Sequence, residues 1–115
     1  MWICLNNSFV SIVQHPGDAS MTMVRGRRKE DVLNFIGDFG MYEITQTDYR
    51  DYRFRAYVKK TDVAAMLVAC VDKITYGNFK DSVSDIDLKY HYSEVWASGV
   101  RNLDPEWPSR HNFSA

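Results

Sequence analysis

Over residues 52–59 the chain alternates without a break: Phe54, Ala56 and Val58 fall to one side, and Arg53, Arg55, Tyr57 and Lys59 to the other. A period of two is that of a half-buried strand. The period then changes. Val63, Met66, Leu67, Cys70, Val71 and Ile74 recur at helical spacing and predict an amphipathic helix over residues 61–74. Thr61 stands where an N-cap is wanted, Asp62 suits the first turn and Lys73 the last. The apolar side of the strand and the stripe of the helix give each other something to pack on.

The same reading extends along the chain. Residues 2–5 and 9–14 are apolar runs separated by Asn6, Asn7 and Ser8, a hairpin signal because Asn tolerates the positive φ of tight turns. Residues 15–20 read as a loop, and 21–27 as a third strand with Met21, Met23 and Arg25 on one face and Thr22 and Val24 on the other. A short helix is expected over 28–39: Glu30 and Asp31 suit its first turn, and Gly37 and Gly40 end it. Residues 42–45 resume as a strand, hairpinned to 52–59. Asn78 is placed to cap a short turn, and Ser84 with Asp87 resembles a capping box. The helix it opens carries Leu88, Tyr92, Val95, Trp96, Gly99 and Leu103 near one face and stops at Asp104-Pro105. The order β-β-β-α-β-β-α-α implies an α+β domain: an antiparallel sheet of about five strands with helices packed on one face. A single domain over 1–104 and a tail over 105–115, with Trp107 and Phe113, complete the expectation.

Composition narrows the function classes. Hydrophobic content of 45% and charged content of 25% are those of a folded domain. A formal charge of -1 argues against a strongly basic nucleic-acid binder and equally against an acidic DNA mimic. The total hides an asymmetry: residues 25–60 hold nine Lys/Arg against six Asp/Glu, and residues 61–115 five against eight. Cys4 and Cys70 sit far apart in apolar patterns and read as buried free thiols. With no signal-peptide pattern and no membrane-length apolar run, a soluble cytoplasmic protein with no membrane partner is expected.

Three segments carry a resemblance: residues 2–13 (WICLNNSFVSIV), 51–56 (DYRFRA) and 76–83 (YGNFKDSV). They resemble a family of small bacterial and prophage-type proteins, over about residues 1–100, to which no activity is attached. The resemblance implies a setting on phages and mobile elements. One job in that setting is to bind and block a host defence complex, as anti-CRISPR proteins do.

Candidate chemistry is sparse. His15, His91 and His111 have no Cys or carboxylate at ligand spacing, so no metal is expected. Cys4 has no histidine near it in sequence, and neither a nucleophile elbow nor a phosphate loop is present. No catalytic residue and no cofactor are assigned; an enzyme using Cys4 or a histidine is a minor alternative. Asp81, Asp85 and Asp87 read as helix-capping groups. The basic, aromatic strand is the sharpest feature. Its plainest reading is a solvated face, but Tyr and Arg are also the residues of binding hot spots. The expected function is that of a non-enzymatic interaction protein, monomer or homodimer, binding a host protein or nucleoprotein complex through Tyr49, Arg53, Arg55 and Tyr57. The alternative is a small nucleic-acid binder using Arg25, Arg27, Arg28 and Lys59, since Lys/Arg neutralise phosphate while aromatics stack bases.

Overall fold

The structure, a computed structural model, describes residues 1–106; Trp107 and Phe113 of the expected tail lie outside the described residues. The strands are β1 (Trp2–Leu5), β2 (Ser8–His15), β3 (Asp18–Gly26), β4 (Thr45–Gln46) and β5 (Phe54–Lys59). The helices are α1 (Lys29–Ile36), α2 (Lys60–Asp72) and α3 (Ile86–Leu103). The chain is thus an α+β domain in the expected order, with one five-stranded sheet ordered β1-β2-β3-β5-β4 and antiparallel at every pairing. β4 and β5 form the expected hairpin, but its first strand is Thr45–Gln46 rather than residues 42–45, and residues 42–44 run without strand pairing. None of the helices is long and apolar enough to cross a membrane among the described residues.

Several local expectations are corrected. The Asn6-Asn7 turn closes without positive φ, which among the described residues only Gly37 adopts, at φ 56°, to end α1. The loop at 15–20 shrinks to Pro16-Gly17, because β2 and β3 keep pairing up to it through a register shift between Gln14 and His15. α2 starts directly off β5, with Lys59 rather than Thr61 at its N-cap and no side chain capping it. At α3 the cap is Asp85 rather than Ser84: its carboxylate accepts from the Asp87 and Leu88 backbone N–H groups at 3.0 and 3.1 Å. Asn78 does cap the turn it precedes, accepting from the Asp81 N–H.

Strand alternation divides the side chains as expected. Val10, Ile12, Val24, Ala56 and Val58 share one face and pack with Val32, Phe35 and Ile36 of α1 and Val63 and Met66 of α2. β3 and α1 come so close that a Cβ on Gly26 would stand 3.0 Å from a Val32 methyl and 3.1 Å from the Arg28 carbonyl oxygen. The α2 stripe reaches the core only as far as Cys70; Val71 and Ile74 are exposed.

A second apolar cluster holds α3. Phe9 precedes the core residue Val10 in β2 and so points to the other side of the sheet, where it packs with Tyr52, Val83, Leu88 and Tyr92. α3 therefore lies against the side away from α1 and α2, and the helices do not share one face as expected. The Tyr92 hydroxyl lies 2.8 Å from both the Leu5 and Ser8 carbonyl oxygens and ties the helix to the β1–β2 hairpin. Burial pushes this phenol's pKa up, keeping it a donor. Docking stops there: Val95, Trp96 and Leu103, expected on the same buried face, are exposed. Arg28 links the layers, donating to both Asp31 oxygens at 2.6 and 3.0 Å and to Asp85 at 2.9 Å.

Candidate binding surface

The side of β2, β3 and β5 opposite the core is organised by register. Ser11 stands opposite Arg25 and Arg25 opposite Arg55; Val13 stands opposite Met23 and Met23 opposite Tyr57; Met21 stands opposite Lys59. No Asp or Glu occupies any of these positions. Val13, Met21 and Met23 are half-buried, while Tyr57 is 42% exposed with its ring edge-on to His15 at 5.1 Å between centroids. This is the surface that the alternation of residues 53–59 points to.

Two arginines directly opposite one another on a sheet repel unless something negative stands between them. Among the described residues, no carboxylate stands between Arg25 and Arg55. Arg25 donates to the Ser11 hydroxyl at 2.7 Å, and Arg55 to the Tyr52 carbonyl oxygen at 3.3 Å. Both Nε atoms are buried without a hydrogen-bond partner. Tyr52, only 7% exposed, gathers the cations: the Arg25 and Arg27 guanidinium carbons lie 4.8 and 4.4 Å from its ring centroid. Among the described residues, the one carboxylate within ion-pair distance of these three arginines is Asp51, 3.4 Å from Arg27 in a solvated pair. Such a pair contributes little.

Beyond Tyr52 the surface continues into a groove of about 510 Å³ between the sheet and α3. Trp2, Phe9, Tyr52 and Arg27 line one side; His91, Glu94 and Arg101 of α3 line the other. The His91 ring stands edge-on to Phe9 at 4.9 Å. Cys4 also borders the groove and is exposed rather than buried as expected, while Cys70 is half-buried. The desolvation that Cys4 does undergo raises its thiol pKa, which disfavours the nucleophilic thiolate. Among the described residues, no three His, Cys, Asp or Glu side chains stand together as metal ligands would.

The residues singled out from sequence separate into groups. Arg25, Arg27 and Arg55 converge on Tyr52, with Tyr57 one row and Lys59 two rows further along. Tyr49 is fully exposed in the β4–β5 connection. Arg53 turns its guanidinium over the ring of Phe54, which packs against the α1–α2 core. Arg28 is occupied by Asp31 and Asp85 inside the fold, and its pKa is raised first by the Asp31 hydrogen bond. Sequence reasoning did not pick out Trp2, Phe9, Tyr52, His91, Glu94 or Arg101 for this surface. For Trp2 a signal existed, since alternation in residues 2–5 sets Trp2 and Cys4 opposite Ile3 and Leu5. For Arg101 none did, because only the docking angle of α3 brings it near.

Comparison with known proteins found no family model, curated protein or solved structure that matches this chain. The surface chemistry therefore carries the functional argument. It offers guanidinium donors and aromatic and thioether contact area.

Proposed function

We propose that the chain is a non-enzymatic interaction protein of phage or mobile-element type, acting in the cytoplasm by docking a host protein or nucleoprotein complex on the open side of its sheet. The observation that carries this reading is the row arrangement of Val13, Met21, Met23 and Tyr57 around the Arg25–Arg55 pair, without a carboxylate among them. Met supplies adaptable apolar contact, and Tyr and Arg supply the anchoring side chains of binding hot spots. Blocking a host defence complex is the job the resemblance supports. The test is capture of partners from bacterial lysate by the tagged protein, with and without nuclease, beside a variant carrying Arg55→Ala and Tyr57→Ala. A specific band retained by the parent and lost by the variant is the expected result. Equal retention by both would place the interface elsewhere and sink the reading.

Direct nucleic-acid contact is the second reading, and the unpaired Arg25–Arg55 opposition favours it. Salt separates the two: counterion release makes nucleic-acid affinity fall steeply with ionic strength, with a log–log slope of about -0.7 per phosphate on a single strand. A Met- and Tyr-centred protein interface is far less sensitive.

A further inference from the structure

The arginine cluster and the groove share a wall, Tyr52, and their chemistries complement each other. On one side of that ring are guanidiniums in excess of carboxylates, with the Nε donors of Arg25 and Arg55 buried and unused. Two cations held in register repel, and an oxyanion placed against their guanidinium groups relieves that repulsion. Guanidinium forks match phosphate oxygens in particular. On the other side is an aromatic slot, with Trp2 tilted over Phe9 at 6.5 Å between centroids and His91 edge-on to the same ring. Glu94 in that groove supplies an acceptor for the exocyclic amine of a base, and Arg101 a second cation.

We propose that Arg25, Arg27 and Arg55 around Tyr52, together with the groove between Trp2 and α3, form a nucleotide subsite for single-stranded nucleic acid. Phosphate sits on the guanidiniums and one base enters the groove. The inference rests on the reading of the open sheet face as a binding surface and names what part of a nucleoprotein partner seats there. A duplex does not fit the requirement, because its bases are already stacked and cannot enter a slot. A strand with an unstacked base can.

The test is fluorescence anisotropy with short labelled oligothymidine and oligocytidine, inorganic phosphate and a mononucleotide serving as competitors. Binding is expected to weaken with salt at a slope of about -2 for three phosphate-directed cations. Arg25→Lys with Arg55→Lys, which keeps the charge but not the fork, should weaken binding, and Arg25→Ala with Arg55→Ala more so. Trp2→Ala should lose about tenfold while leaving the salt slope unchanged, as a base-stacking contact would. Competition separates the sources of the phosphate: a mononucleotide should displace the strand at lower concentration than inorganic phosphate does. Equal displacement would mean that no base is read and would overturn the subsite. Absence of oligonucleotide binding, while lysate capture still depends on Arg55 and Tyr57, would overturn the nucleotide inference and leave the docking reading intact. Loss of that dependence while the oligonucleotide still binds would do the reverse.

Discussion

The two sides of β2, β3 and β5 are built from interleaved residues of the same strands, yet they are different materials. On the core side, Val10, Val24, Ala56 and Val58 are fully buried against aliphatic cross-strand neighbours, except that Val58 faces Thr22, whose hydroxyl donates to the Val58 carbonyl oxygen. On the open side the same rungs carry Arg against Arg and Met against Tyr, half-buried and without a helix over them. The first arrangement is what burial of apolar surface selects. The second leaves like charges opposed and donors unused, which no stability argument explains. Outside the Phe9–Tyr92 cluster that seats α3, stability is concentrated on the α1–α2 side of these strands and recognition on the other, so substitutions one residue apart should have opposite consequences.

The strongest way to break that comparison uses methionines. Met66→Ala, in the α2 side of the core, should cost about 3–4 kcal/mol in urea unfolding. Met23→Ala, on the open side, should stay within about 1 kcal/mol. Equal losses would mean that both sides are core.

Next in size is the tie between layers. Arg28→Ala leaves the Asp31 carboxylate, only 3% exposed, without its cation, and should cost about 3 kcal/mol. A pH dependence accompanies it. The Asp85 carboxyl is held below the usual carboxylate range, first by the Leu88 N–H and then by Arg28. A lowered folded-state pKa contributes stability that is present above about pH 4 and is lost as pH falls through the folded-state value. Arg28→Ala should therefore also flatten the acid limb of the stability profile, and an unchanged limb would show that the Arg28–Asp85 contact is idle. Gly26→Ala comes third, at about 2 kcal/mol, because the added methyl crowds a Val32 methyl at 3.0 Å and the Arg28 carbonyl oxygen at 3.1 Å, so that β3 and α1 must move apart by a few tenths of an ångström. Little or no loss on thermal or urea unfolding would mean that the strand and α1 can separate at small cost.

How far the sequence revealed this design follows from the same division. Alternation in residues 53–59 and 21–25 is strictly local, so the sorting of Val24, Ala56 and Val58 from Arg25, Arg55 and Tyr57 was legible, and with it the α+β order. What depends on three-dimensional closure was not. Two residues of one segment, Arg53 and Arg55, part company because Arg53 is drawn to the Phe54 ring. Ser84 and Asp85 are both able caps, and the ion pair with Arg28, far away in sequence, accompanies the choice of Asp85. The helical spacing of Val95, Trp96 and Leu103 continues that of Leu88 and Tyr92, but the sheet runs out under the helix and leaves them exposed. Periodicity tells which residues share a face, not whether another layer reaches it.

The smallest expected effect sharpens the comparison most. Arg55→Gln keeps the side chain's apolar stem and a hydrogen-bonding tip but removes one of the two opposed charges. If the Arg25–Arg55 opposition serves recognition, the isolated protein should lose nothing and should gain about 0.5 kcal/mol from relieved repulsion. The parent should in addition become more stable as salt screens the pair, and the variant should show less of that response. Urea titrations at two ionic strengths measure both. A loss comparable to that from a core substitution would mean that Arg55, through its bond to the Tyr52 carbonyl, holds the fold together. The open side would then be structural as well, and the division of labour across the sheet would fail at its central pair.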